Sequence, residues 1–182
     1  MEYSNAIIEL EDSRNYKEAI RCAYDLWNND KNNDTLLCAS LELWLLIFCD
    51  KELGADLVTD NDVMALWDRI SAELAAKWNT DTKLMFFSGY MLKVGFYLFV
   101  DVFANQNVDD IISFGKSLME NAYHSEPNDP VYMIQHIRNQ SPKYEDSFFD
   151  CRKISSERKN EISMMFDGGG IVNEYFRRIY LV

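Results

Sequence analysis

Residues 35–52 read Thr35-Leu36-Leu37-Cys38-Ala39-Ser40-Leu41-Glu42-Leu43-Trp44-Leu45-Leu46-Ile47-Phe48-Cys49-Asp50-Lys51-Glu52. The stretch predicts a helix that is apolar on nearly all sides, and such a helix has to lie between neighbours. The chain on either side supplies them. Upstream, Tyr16, Ala19, Ile20, Ala23 and Trp27 form one apolar stripe, with Lys17, Glu18, Arg21, Asp25 and Asn28 away from it. The polar run 28–34 ends that helix, and Asp34 is placed to cap the next one. Downstream, Thr59-Asp60-Asn61-Asp62 has the form of a capping box, and Val63, Trp67, Ile70, Leu74 and Trp78 recur behind it at helical spacing.

The same reading extends to the end of the chain. A helix starts near Asp81 and another near Asn107, whose face carries Val108, Ile111, Ile112, Gly115, Leu118, Met119 and Ala122. Pro127 and Pro130 enclose a turn, Pro130 suits the first position of a short helix over 131–139, and Pro142 ends it. Ser155 or Ser156 is placed to cap a helix that stops before Gly168-Gly169-Gly170, a helix stop and hinge. The terminal helix, 171–182, carries Ile171, Val172, Tyr175, Phe176, Ile179 and Tyr180. Alternating runs bounded by turn residues are missing, so strands find no support. The expectation is a single all-α domain over 1–182, an irregular stack of antiparallel helical hairpins with roughly seven to nine helices.

Composition narrows the function. The 182 residues are 48% hydrophobic and 26% charged, enough to bury a core, and seven Gly with three Pro leave little room for long linkers. The net charge of −12 argues against general nucleic-acid binding, which rests on Lys and Arg neutralising phosphates. The acidity is concentrated: residues 1–62 hold 14 acids against 5 bases, 63–140 hold 9 against 6, and 141–182 hold 7 of each. An acidic third is either a solubilising surface or a docking face for a basic partner.

Residues 84–104 are Phe-, Tyr- and Leu-rich, but Lys93 and Asp101 make a buried helix a better reading than a membrane span. Met1-Glu2-Tyr3-Ser4-Asn5 has no basic or apolar leader, so a cytoplasmic location is expected. Cys22, Cys38, Cys49 and Cys151 form no C-x-x-C pair and read as small hydrophobes in a reducing compartment.

Chemistry-bearing motifs are few. His124 and His136 lie twelve residues apart without zinc-ligand spacing, and read as surface or structural histidines, with a meeting across two helices left open. Ser88-Gly89 reads as close helix packing, and no G-x-S-x-G elbow occurs. The pairs Asp60/Asp62 and Asp109/Asp110 fall at helix starts, where negative charge favours the dipole; Glu145/Asp146 is a third pair. Neither His has Glu three residues before it, as a di-metal carboxylate bundle requires. No enzyme, metal or cofactor is expected. Binding is the stronger case. Trp27, Trp44, Trp67 and Trp78 belong to the core stripes, whereas Tyr24 beside Asp25 sits at a stripe's rim. Asp50, Glu52, Asp56, Asp60 and Asp62, with only Lys51 among them, make the acidic cluster best suited to a basic partner.

Two resemblances follow. Tyr16-x-x-Ala19 with Ala23 before a polar turn resembles the second helix of a tetratricopeptide-type hairpin. The turns at 24–35 and 120–131 look alike, although Lys31 or Asn32 stands where that family places proline and no repeat of about 34 residues joins them. This resemblance implies an adaptor or scaffold holding a peptide in a helical groove. The whole chain resembles the small, acidic, all-helical immunity proteins that bacteria encode beside polymorphic toxins of contact-dependent growth inhibition. The features that carry it are the size, the absent leader, the acidic helical third and the ending Phe166-Asp167-Gly168-Gly169-Gly170-Ile171-Val172-Asn173-Glu174-Tyr175-Phe176-Arg177-Arg178. It implies tight binding of a cognate basic toxin, commonly a nuclease, with no catalysis, no direct nucleic-acid binding and no membrane.

Overall fold

A computed structural model describes residues 4–103, 106–141 and 144–181, the side chains of 144–146 aside. Every regular element among them is helical: α1 (Asn5–Asp12), α2 (Tyr16–Asp30), α3 (Asn33–Phe48), α4 (Asp50–Leu53), α5 (Asn61–Lys77), α6 (Thr82–Val94), α7 (Val108–Ser125), α8 (Pro130–Gln140), α9 (Tyr144–Glu157), α10 (Lys159–Met165) and α11 (Ile171–Tyr180). Single 3-10 turns, Leu57–Thr59 and Phe96–Phe99, follow α4 and α6. The all-α expectation holds, with eleven helices among the described residues instead of seven to nine. The excess comes from pieces such as α1, α4 and α10, which span so few turns that their side chains leave no readable period.

The helix expected over 35–52 is interrupted. It ends at Phe48, Cys49 sits outside helical geometry as its C-cap, and α4 restarts at Asp50. Most of α3 is buried, including Leu41, Leu43, Trp44, Leu45 and Leu46, each without measurable exposure. It packs against α2, α5, α6 and α11. Complete burial of a side chain this size stabilises by roughly 1.5–3 kcal/mol, so α3 is the axis on which the molecule depends.

Helix starts are set by side-chain caps, though not always by the residue expected. Asn32, not Asp34, caps α3, accepting from Thr35 N at 2.8 Å. Asp60 caps α5 in place of Thr59, the first residue of the expected capping box, which ends the preceding 3-10 turn. Asp81 caps α6, Asn107 caps α7, and Asp129 caps α8 with Pro130 in the first position. Ser155 and Ser156 lie inside α9 and cap nothing at a helix start; the Ser155 hydroxyl instead donates to Tyr180 O at 2.8 Å. The terminal helix closes at Tyr180, short of the expected 182. Pro142, expected to end α8, lies outside the described residues, as does Ala104.

The closest helix pair is α6 with α7, and two glycines make it possible. A Cβ on Gly89 would stand 2.5 Å from Gly115 O, and one on Gly115 would stand 2.8 Å from Gly89 O. Backbone meets backbone there, as the packing reading of Ser88-Gly89 requires. The apolar segment that begins at Leu84 is broken at Gly95, where a Cβ would collide with Trp44 Nε1. Among the described residues no helix is long and apolar enough to cross a membrane.

Candidate partner-binding surface

The acidic third folds into α1–α4 and the start of α5, and eight of its fourteen acids, the predicted cluster and Asp25 among them, fall into three groups. Glu11, Glu42 and Asp50 are buried. Asp60 is partnered, as α5's cap and as the ion-pair partner of Lys17. Asp25, Glu52, Asp56 and Asp62 remain exposed.

Asp50 is therefore not part of a surface cluster. Its carboxyl turns inward and accepts from Leu57 N at 2.5 Å, tying α4 to the 3-10 turn that follows. The chain has to reverse between them, through Gly54 at φ +63 and Asp56 at φ +49, and the inward carboxyl satisfies an N–H that the reversal buries. Asp60 accepts from Asp62 N and Val63 N at 3.0 and 3.1 Å. The Lys17 ammonium, followed by these backbone donors, holds its carboxyl below the usual range.

Between α2 and α5 runs a shallow cavity of about 370 Å³, walled by Arg21, Tyr24, Asp25, Asp62 and Arg69. Its cations are engaged. Arg21 pairs with Glu18 at 2.5 Å and reaches Asp62 at 3.8 Å, and Arg69 donates to the Tyr24 hydroxyl at 3.5 Å. Tyr24 lies edge-on to Trp27, ring centroids 5.5 Å apart. Asp25 forms no ion pair among the described residues, and the Asp62 side chain is 83% exposed. The edge thus presents a braced aromatic flanked by open carboxylates. Glu52 lies elsewhere on the acidic third, near Cys49 and Tyr97; burial raises both, and the charge of Glu52 adds to it. Tyr97 is 46% exposed and stacks on Phe48.

Of the four cysteines, expected as buried hydrophobes, Cys151 is buried and Cys22, Cys38 and Cys49 are half-buried against the core. All four are thiols outside any disulfide, and burial pushes Cys38 up to about 11, which leaves it protonated and unreactive. The histidines do meet: their ring centroids are 6.3 Å apart, His136 stacks on Tyr123 at 4.0 Å, and His136 Nδ1 lies 2.5 Å from Glu120 Oε2. Among the described residues no group of three or more His, Cys, Asp or Glu could hold a metal ion. Asp109 and Asp110 occupy the first turn of α7, with Asn107 Nδ2 donating to Asp110 at 2.7 Å; the side chains of Glu145 and Asp146 lie outside the described residues.

Two features went unforeseen. One is a cavity of about 530 Å³ beneath Leu26, lined by Ile7, Ala23, Leu37, Phe87 and Phe166, with Asp34 and Lys83 also on its wall. Opposite charges at the same wall give it no preference for an anion or a cation. The other is the burial of Glu42. Its signal was legible: a single carboxyl inside the apolar run 41–48 either escapes to solvent or finds a partner.

Set against protein-family models, curated proteins and solved structures, the chain finds no match.

Proposed function

We propose that this chain is an immunity protein: it binds a cognate basic toxin, a nuclease by preference, and blocks the toxin's active-site cleft with an acidic helical face. The observation that carries the reading is the exposure of Asp25, Glu52, Asp56 and Asp62, the last approached only by Arg21 at 3.8 Å. A nuclease cleft receives a phosphate backbone, so the exposed carboxylates, Asp25 on α2, Glu52 on α4, Asp56 in the turn after it and Asp62 on α5, would meet the same cations and exclude the substrate. Tyr24, braced by Trp27 and Arg69, supplies the contact area such an interface concentrates in few residues. The protein acts by occupancy and catalyses nothing.

The test is co-expression with the protein encoded beside it, followed by pull-down and a growth assay. The expected result is a stoichiometric complex with a basic protein that is harmful when expressed alone. Changing Glu52→Gln, Asp56→Asn and Asp62→Asn together then weakens the complex roughly tenfold or more at low salt and flattens its salt dependence. A neighbour that neither binds nor harms overturns the reading. The apolar cavity beneath Leu26 favours a second one, a tetratricopeptide-like adaptor that seats an apolar peptide there. An isolated peptide binds such a groove, whereas the immunity reading requires a folded toxin domain.

A further inference from the structure

Glu42 on α3 is fully buried, and Glu11 on α1 is 4% exposed. Glu11 Oε2 accepts from Ile171 N at 3.1 Å, at the first residue of α11. The remaining oxygens, Glu11 Oε1 and both of Glu42, meet no N–H or O–H of any other described residue. What they meet is each other: the two carboxyls lie within hydrogen-bonding reach. Two ionised carboxylates are acceptors only, so a hydrogen bond between them requires one proton.

Among the described residues no cation forms an ion pair with either acid; Lys83 of α6, which packs on α3, acts with its charge on Cys38 and on neither Glu11 nor Glu42. Asp12 on α1 adds negative charge beside Glu11, and Cys22 on α2 and Cys38 on α3 are thiols that feel the charge of Glu42. On α11, Arg177 Nη2 reaches the Gly168 carbonyl at 3.4 Å, not either acid. Burial, and then the charge of Glu11, push Glu42 well above the ordinary carboxyl range, so Glu42 keeps the proton and donates it to Glu11.

The glycine turn is shaped to this pair. Gly170 has φ +92, and a Cβ there would stand 2.9 Å from Glu11 Oε2; a Cβ on Gly169 would stand 3.0 Å from Ile8. The run expected as a hinge lies flat on α1 and delivers the Ile171 N–H to the acid.

We propose that Glu11 and Glu42 share one proton and act together as a latch that holds the start of α11 on α1 and α3, and that loss of this proton releases it. Hydroxide removes the proton from Glu42 to give water, leaving two carboxylates face to face with no donor between them. Their repulsion is relieved when α1 and α3 part, and Ile171 N–H then turns to water. This inference is independent of the partner proposed above.

The test is the folding equilibrium of the whole chain by urea titration between pH 5 and 9, wild type against Glu42→Gln. In the unfolded chain Glu42 titrates near its ordinary 4.5, and in the folded chain well above it. Between the two the folded state holds one extra proton, so the wild-type folding constant falls by up to about tenfold per pH unit relative to the variant. The amide introduced by Glu42→Gln stays neutral and keeps an N–H for Glu11 Oε1, so the variant is the more stable chain at the alkaline end. Parallel profiles overturn the proposal. Should Glu42→Gln fail to fold, carbon-13 titration of the wild-type side-chain carboxyls decides: one glutamate titrating far above the rest supports the latch, and none doing so overturns it.

Discussion

Two connections in this molecule look equally loose in sequence and are held in different ways. The first, residues 49–60, reverses the chain between α3 and α5; the second, residues 166–170, turns it into α11. Each contains a glycine at positive φ, Gly54 and Gly170, and each is tied by a carboxyl that accepts a backbone N–H, from Leu57 in one and Ile171 in the other. In the first, the further acid Asp60 has Lys17 and two N–H groups around it, and its affinity for protons falls. In the second, the further acid Glu42 is fully buried with only another carboxyl beside it, and burial first, then that neighbour's charge, raises its affinity. An acid's role here follows from the donors within reach and not from the local density of acids in the sequence.

The sharpest way to break this comparison is Asp50→Ala. It strands the buried Leu57 N–H, and should lower unfolding free energy by about 2–3 kcal/mol, read from denaturant midpoints. Asp50→Asn keeps an acceptor and should recover most of the loss. If both behave alike, Asp50 serves through its charge and not through the hydrogen bond.

Glycine substitutions separate backbone strain from steric fit. Gly54→Ala meets nothing within 4 Å and should cost about 1 kcal/mol, the backbone share alone. Gly170→Ala carries a larger backbone share, since φ +92 with ψ 159 is a region essentially confined to glycine, and also pushes on Glu11 Oε2, so it should cost about 2–3 kcal/mol. Equal losses at the two sites, measured by thermal or urea unfolding, would remove Glu11 from the account of the second turn.

The smallest expected effect is one of sign. Asp60 titrates below 3.8 when folded, so its contribution is present above the unfolded value and is lost as pH falls through the folded one. Lys17→Met removes the largest cause and should diminish this acid-side loss of stability. It should leave unchanged the opposite trend above pH 5 that Glu42 imposes. A variant that alters both slopes would mean that the two connections are coupled.

Much of the architecture was legible, for reasons that can be located. Long helices declare themselves because fifteen or more residues repeat a burial pattern, as α2, α3, α5 and α7 do. Helix starts are legible near Asp81, Asn107 and Pro130 because the residue type and the break in pattern coincide. Asp34 was preferred over Asn32 because local pattern does not say which of several capping residues in a polar run turns inward. The site was less legible. Tyr24, Asp25, Glu52, Asp56 and Asp62 lie at the surface or its rim, but Asp50 was grouped with them since spacing along the chain is blind to a reversal that turns one carboxyl inward. The meeting of His124 and His136, the cavity beneath Leu26 and the pairing of Glu11 with Glu42 all depend on contacts between separate helices, which no single helical period encodes.

The hydrogen bond from Ile171 to Glu11 spans 160 residues of chain. During synthesis α1 and α3 are made before α11 exists, and in the unfolded chain both acids are ionised at neutral pH. The last helix therefore arrives with a proton to collect as well as a surface to cover. If the two acids share a proton, as proposed, closing this contact is an acid–base reaction, and refolding of the whole chain should slow as the medium becomes more alkaline.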